Sequence, residues 1–152
     1  MLCSCGDRIE NKFYVLNKQF EEKNGFMKEM VLVENPSKNA DTLLKKITEY
    51  QKKIGKAHLN EILIKKDREY VMIFYYKTEN TSRFLNSKKD PYSLNNVYLE
   101  DFSETDFLGS VYINKCDKDK SKWISGAYVE MRDTDNKIIS KKEKLFFDGC
   151  NN

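Results

Sequence analysis

One stretch of the sequence repeats its apolar residues at helical period, and it limits what the remainder can do. Ala40, Leu43, Ile47, Tyr50 and Ile54 recur at spacings of three and four, with Leu44 beside them. A helix over about 38–54 gathers these side chains into a single stripe. Ser37 or Asn39 offers a side-chain acceptor to the first free backbone N–H groups. Asp41 lies near the positive end of such a helix, and Lys52 and Lys53 near its negative end. Asp41 with Lys45, and Glu49 with Lys53, are favourable four-residue pairs. Gly55 is a natural stop. A helix with one apolar stripe must lay it on something, and most of the remaining chain is β-rich.

Residues 61–66 and 69–77 read as two strands joined by a polar turn at Asp67-Arg68. In the second, Val71, Ile73 and Tyr75 share one face while Met72, Phe74 and Tyr76 share the other. Apolar side chains on both faces indicate a central or covered strand. Residues 107–115 form a further strand. Trp123, Ser125, Ala127, Val129 and Met131 share one face of the next, with Glu130 and Arg132 on its other face. The turn Asp133-Thr134-Asp135-Asn136 leads into a last strand over 137–147. Pro36 closes an apolar run, and Pro91 sits in a polar loop.

The segment before the helix is ambiguous. Ile9, Phe13, Leu16 and Phe20 fall at helical spacing, and Asp7 with Glu10 can form a capping box. Phe13-Tyr14-Val15 favours strand by composition, and Asn24-Gly25 is a strong hairpin turn. A hairpin of 12–23 with 26–34 closed there sets Phe20 opposite Glu29 and Lys18 opposite Val31, which mismatches the faces. The reading is helix or irregular structure over 8–23 and a strand over 26–34. The resulting expectation is an α+β fold: one long amphipathic helix packed on an antiparallel β-meander, similar in outline to cystatin-like or NTF2-like sheets, in one domain over 12–150.

Composition removes several classes. The 152 residues carry 27 basic and 24 acidic side chains, a net charge of +3. Near-balanced charge with 39% hydrophobic residues opposes intrinsic disorder. No apolar run approaches the roughly 20 residues of a membrane-spanning helix.

The first residues carry an address. Leu2-Cys3-Ser4-Cys5 resembles the lipobox that ends a bacterial lipoprotein signal: an aliphatic residue, a loosely chosen one, a small one, and the cysteine that receives lipid. Lipid joins through a thioether, so only cysteine serves at the last position, and a small residue before it lets a peptidase approach the backbone. The basic and apolar segments that precede a lipobox are not in this sequence. The resemblance implies lipidation at Cys5, with 1–11 as signal remnant and tether, and an address in the cell envelope. Ordinary thiols, or a Cys-x-Cys metal pair, are the alternatives; a metal site needs about four ligands, and Cys116, Cys150 and His58 stand at irregular spacing. If Cys3 leaves with the signal and Cys5 carries lipid, Cys116 and Cys150 remain. In an oxidising envelope they can pair or stay separate, since spacing does not place their Cα atoms.

The search for chemistry finds little. His58 is the single histidine and lies between apolar neighbours at the expected helix-to-strand junction, so a nucleophile–histidine site has no evident partner. No Gly-rich phosphate loop exists. The acidic stretch Glu100-Asp101-Phe102-Ser103-Glu104-Thr105-Asp106 reads as a solvated loop. Asp117-Lys118-Asp119-Lys120-Ser121 starts like a calcium loop, but Lys122 and Tyr128 hold the places that need Gly and Glu. Asp133-Thr134-Asp135 fails likewise, with Ile138 and Lys144 there. Lys38, Lys45, Lys46, Lys52, Lys53 and Lys56 make residues 38–56 basic, against Asp41 and Glu49. With few arginines to read bases, this is a solvated helix face rather than a nucleic-acid surface.

The expectation is therefore a non-enzymatic domain of the bacterial cell envelope, with neither cofactor nor metal. It is held at the membrane by lipid alone and binds another protein, with an immunity or adaptor role as one version. Tyr75, Tyr76, Tyr112 and Tyr128 are the candidate interface anchors, with core as the alternative for each. Two rival functions stand beside it: a carrier of a small apolar ligand, in a pocket lined by Leu43, Ile47, Phe74 and Trp123, and a cytoplasmic lysine-mediated nucleic-acid binder.

Overall fold

A computed structural model of the chain describes residues 11–16, 26–61, 69–82, 85 and 104–151. Six strands build one sheet: β1 (Lys12–Leu16), β2 (Phe26–Glu34), β3 (Glu69–Tyr76), β4 (Phe107–Lys115), β5 (Trp123–Arg132) and β6 (Ile138–Asp148). Their order across the sheet is their order along the chain. The main helix, α1, spans Ala40–Glu61, and a single turn, α2, spans Glu79–Ser82.

The expected helix on an antiparallel meander, cystatin-like or NTF2-like in outline, is not what forms. The sheet is mixed. β2 and β3 are parallel neighbours, with Met30 beside Ile73 and Val33 beside Tyr76, and the remaining pairs are antiparallel. α1 is thus the crossover between two parallel strands. A parallel pair needs a connection of a dozen or more residues to return the chain to its starting end, and a helix supplies it. The helix was expected as a cover on a finished meander, whereas its place in the chain makes it part of the sheet's connectivity.

Residues 8–23 were expected as helix or irregular structure, yet Lys12–Leu16 pair with β2 as a strand. The mismatch that argued against this pairing came from closing the hairpin tightly at Asn24-Gly25. The observed register sets Phe13 opposite Val33 and Leu16 opposite Met30. It differs from the tight hairpin by three positions, an odd number, so it matches the faces that the other register crossed. The strand expected at 61–66 loses Glu61 to α1, and residues 62–68 lie outside the described ones.

The start of α1 follows local chemistry. Asn35 ends β2 in a left-handed conformation (φ 50°), which asparagine tolerates. Asn39 Oδ1 accepts from the Thr42 N–H at 2.9 Å, and Ser37 Oγ accepts from the Asn39 N–H at 3.2 Å. The expected stop at Gly55 fails, and the helix continues to Glu61 with His58 inside it. A glycine within a helix costs about 1 kcal/mol, too little to end one by itself.

Leu43, Leu44 and Ile47 of α1 press on Val31 and Val33 of β2, Tyr70, Met72 and Phe74 of β3, and Val111, Ala127 and Val129 beyond. Phe13 stacks on Tyr50 with ring centroids 4.3 Å apart, and both meet Phe74 edge-on. On the sheet's other face, Leu16, Met30, Leu32 and Tyr75 form a smaller cluster with Ile73, Leu85 and Phe107. β3 is buried on the helix side at Tyr70, Met72 and Phe74 and covered on the other, where Tyr75 is buried and Val71 and Ile73 partly so, as suits a central strand. Among the described residues, no helix is long and apolar enough to cross a membrane.

Candidate functional site

β6 closes one side of the sheet. Among the described residues it pairs only with β5, which leaves one row of its backbone groups without a neighbouring strand. Six large apolar side chains are exposed among the described residues. Five of them, Ile138, Ile139, Leu145, Phe146 and Phe147, are on β6, and the sixth is Tyr76. Ile139 is 65% exposed and Phe147 57%, so these are surface groups rather than core margins. Lysines interrupt them at Lys141, Lys142 and Lys144.

Beyond its pairing with β5, this edge is held by contacts at its end and at its middle. A disulfide joins Cys116, just after β4, to Cys150, just after β6, with Cα atoms 5.6 Å apart. The Gly149 N–H donates to the Trp123 carbonyl at 2.9 Å. Lys142 Nζ pairs with Asp41 of α1 at 3.2 Å, which ties the middle of the edge to the helix start. The Asp133-Thr134-Asp135-Asn136 turn sets the register of β5 with β6: Asp133 exchanges backbone bonds with Lys137 and Asn136, and Asn136 is left-handed (φ 62°).

The sheet face away from α1 carries a row of phenols on carboxylates. Tyr112 donates to Glu143 Oε1 at 2.6 Å, and Tyr128 donates to Glu130 Oε2 at 2.7 Å. Glu130 is buried and also accepts from Arg132 Nε at 2.8 Å. Burial pushes the Glu130 carboxyl up, but hydrogen bonds from Tyr128 and Arg132, with the charges of Arg132 and Lys141, outweigh it and hold the group below its ordinary 4.5. Burial and the bond to Glu130 raise the Tyr128 phenol to about 12; burial and Glu143 do the same for Tyr112. These phenols stay protonated at neutral pH and serve as donors rather than bases. In the core, Tyr70 donates to the buried Glu29 at 2.6 Å.

The four candidate anchors therefore separate. Tyr75 is buried, packs edge-on to Phe107 with centroids 6.1 Å apart, and belongs to the core rather than to an interface. Tyr112 and Tyr128 are half-buried and held by their carboxylates. Tyr76 is exposed at the end of β3. The pocket expected around Leu43, Ile47, Phe74 and Trp123 is filled: the first three are fully buried in one cluster, and Trp123 packs against it. Cys5 lies outside the described residues, as do 100–103 of the acidic stretch and the side chain of His58. Asp119 takes a turn role, accepting from the Ser121 N–H and hydroxyl at 3.0 and 2.6 Å. Among the described residues, no three His, Cys, Asp or Glu side chains gather as metal ligands.

Sequence reasoning missed the apolar edge. β6 is apolar at both ends on residues of both parities, around a lysine-rich middle. That pattern was visible, but it marks an edge only once the sheet order is known.

No family model, no curated protein and no solved structure matches this chain.

Proposed function

We propose that the chain is a lipid-anchored domain of the bacterial cell envelope that binds another protein, without catalysis, along β6. The observation that carries the binding half is the concentration of exposed apolar side chains on one strand whose outer edge has no partner among the described residues. Large apolar groups on such an edge favour an added strand, because main-chain hydrogen bonds and alternate side-chain pockets then act together. The envelope half rests on the lipobox-like Leu2-Cys3-Ser4-Cys5 and is supported by the Cys116–Cys150 bridge, since structural disulfides persist in oxidising compartments.

The occupant favoured is an extended, acidic segment of a different protein. Self-pairing is opposed by charge. An antiparallel pair of two β6 strands centred on residue 141, 142, 143 or 144 sets a lysine opposite a lysine, which is destabilising. A segment with carboxylates opposite those lysines and apolar residues against Leu145 and Phe147 has no such penalty. Geometry is compatible with the anchor. Cys5 precedes Lys12 of β1 by seven residues, and β1 is the opposite edge, about 24 Å from β6 at the usual strand spacing.

The test has two arms in the native host. Palmitate labelling is expected to mark the wild-type chain and not Cys5→Ser; an unlabelled wild type defeats the envelope half. A photo-crosslinking residue at Ser140 is expected to give a discrete adduct that the same group at Glu79 does not. Adding Leu145→Lys with Phe147→Lys should abolish it. Equal adducts from both positions, or one untouched by the lysines, defeat the binding half.

A further inference from the structure

The parallel pairing of β2 and β3 has a second result. Both strands end at the same side of the sheet, where α1 begins, β4 starts and β5 finishes, and a groove of about 790 Å3 opens there. That volume is within the range of small-molecule sites. Its apolar wall is Pro36, Tyr76, Leu108 and Met131, and Lys38 and Lys46 are the charged residues that line it. The remaining lining residues are neutral and polar, so among the described residues the groove has two cations and no carboxylate. Two neighbouring acids are engaged elsewhere. Glu34 accepts from Tyr14 at 2.9 Å and from Lys77 at 3.1 Å, and Asp41 pairs with Lys142. Asn39 already caps the Thr42 N–H, so an incoming anion would rest on the lysines rather than on the helix end. Lys46 stands one turn after Thr42, which puts both on the side of α1 that borders the groove.

We propose that this groove binds a small organic anion: a carboxylate carried on an apolar or aromatic body, with the body on Tyr76, Leu108 and Met131 and the charge between Lys38 and Lys46. The site is distinct from β6 and does not depend on the docking role given to it.

Hydrocinnamate is a suitable probe, with hydrocinnamamide as its uncharged twin, followed by methyl NMR of Leu108 and Met131 in the full chain. Saturable shifts are expected for the acid, with the amide weaker by about 5-fold, the scale set by two partly exposed ion pairs. Lys38→Gln with Lys46→Gln should bring acid and amide to within about 2-fold of each other, while the methyl spectrum away from the groove is unchanged. No saturable shift at millimolar acid overturns the proposal, as does equal binding of acid and amide to the wild type. So does tighter binding, by about tenfold or more, of a short acetylated peptide ending in phenylalanine carboxylate, because the groove would then be a reader of protein C-termini.

Discussion

Replacing both Cys116 and Cys150 by serine removes the clamp that ties the end of β6 to the β4–β5 turn. The bridge spans a sequence separation of 34, for which the chain-entropy relation gives about 4 kcal/mol of stabilisation at 25 °C. The loop it closes contains β5 and β6, the most extensively paired hairpin of the sheet, so residual pairing in the unfolded chain trims that figure toward about 3 kcal/mol. A chain of 152 residues unfolds with an entropy of about 0.3 kcal/mol/K, and the midpoint should therefore fall by about 10 °C. Circular dichroism melts of the oxidised wild type and the double variant measure the fall. The double variant is the right comparison because a single one leaves a reactive thiol. A thiol titration in denaturant provides the control: the oxidised chain, prepared unprocessed and without lipid, should expose two of its four cysteines, Cys3 and Cys5. A midpoint change below about 3 °C with the bridge shown to be formed would refute the argument, because the loop-closure term would then be absent.

Other outcomes follow from packing and charge. Gly109→Ala puts a Cβ inside contact distance of the Tyr128 carbonyl and 2.8 Å from Val129 Cγ1; it should cost about 1–3 kcal/mol in urea unfolding, and a neutral result would mean that β4 and β5 are not so closely paired. Gln51 is buried on the sheet side of α1, and its Nε2 has no hydrogen-bond partner among the described residues. Gln51→Met should raise stability by about 1 kcal/mol, and a loss would reveal an unrecognised partner. Glu130 has a carboxyl held below 4.5 in the folded state, so its contribution is present above that pH and is lost as pH falls through the lower folded value. Glu130→Gln should therefore begin less stable at neutral pH and lose less on acidification, and parallel pH–stability curves would contradict the assignment.

The local elements were legible in the sequence because their causes are local. The stripe from Ala40 to Tyr50 and the Asn39 cap mark the start of α1, and the shared face of Trp123, Ala127, Val129 and Met131 with the 133–136 turn marks β5 and its hairpin with β6. The end of α1 was not legible, since a single glycine penalises a helix too weakly to overrule what surrounds it. Strand partners were not legible either. That β2 lies beside β3 in parallel, with α1 as the crossover, depends on which strand edges meet after the helix has packed, and nothing in either strand's own pattern states it. The same tertiary choice decides both candidate sites. It makes β6 an edge, so that Leu145, Phe146 and Phe147 face outward, and it brings Lys38, Tyr76 and Met131 from three distant parts of the chain to one groove. Periodicity specifies which face of an element is apolar. Only the assembled sheet settles which apolar faces find cover and which stay open to a partner.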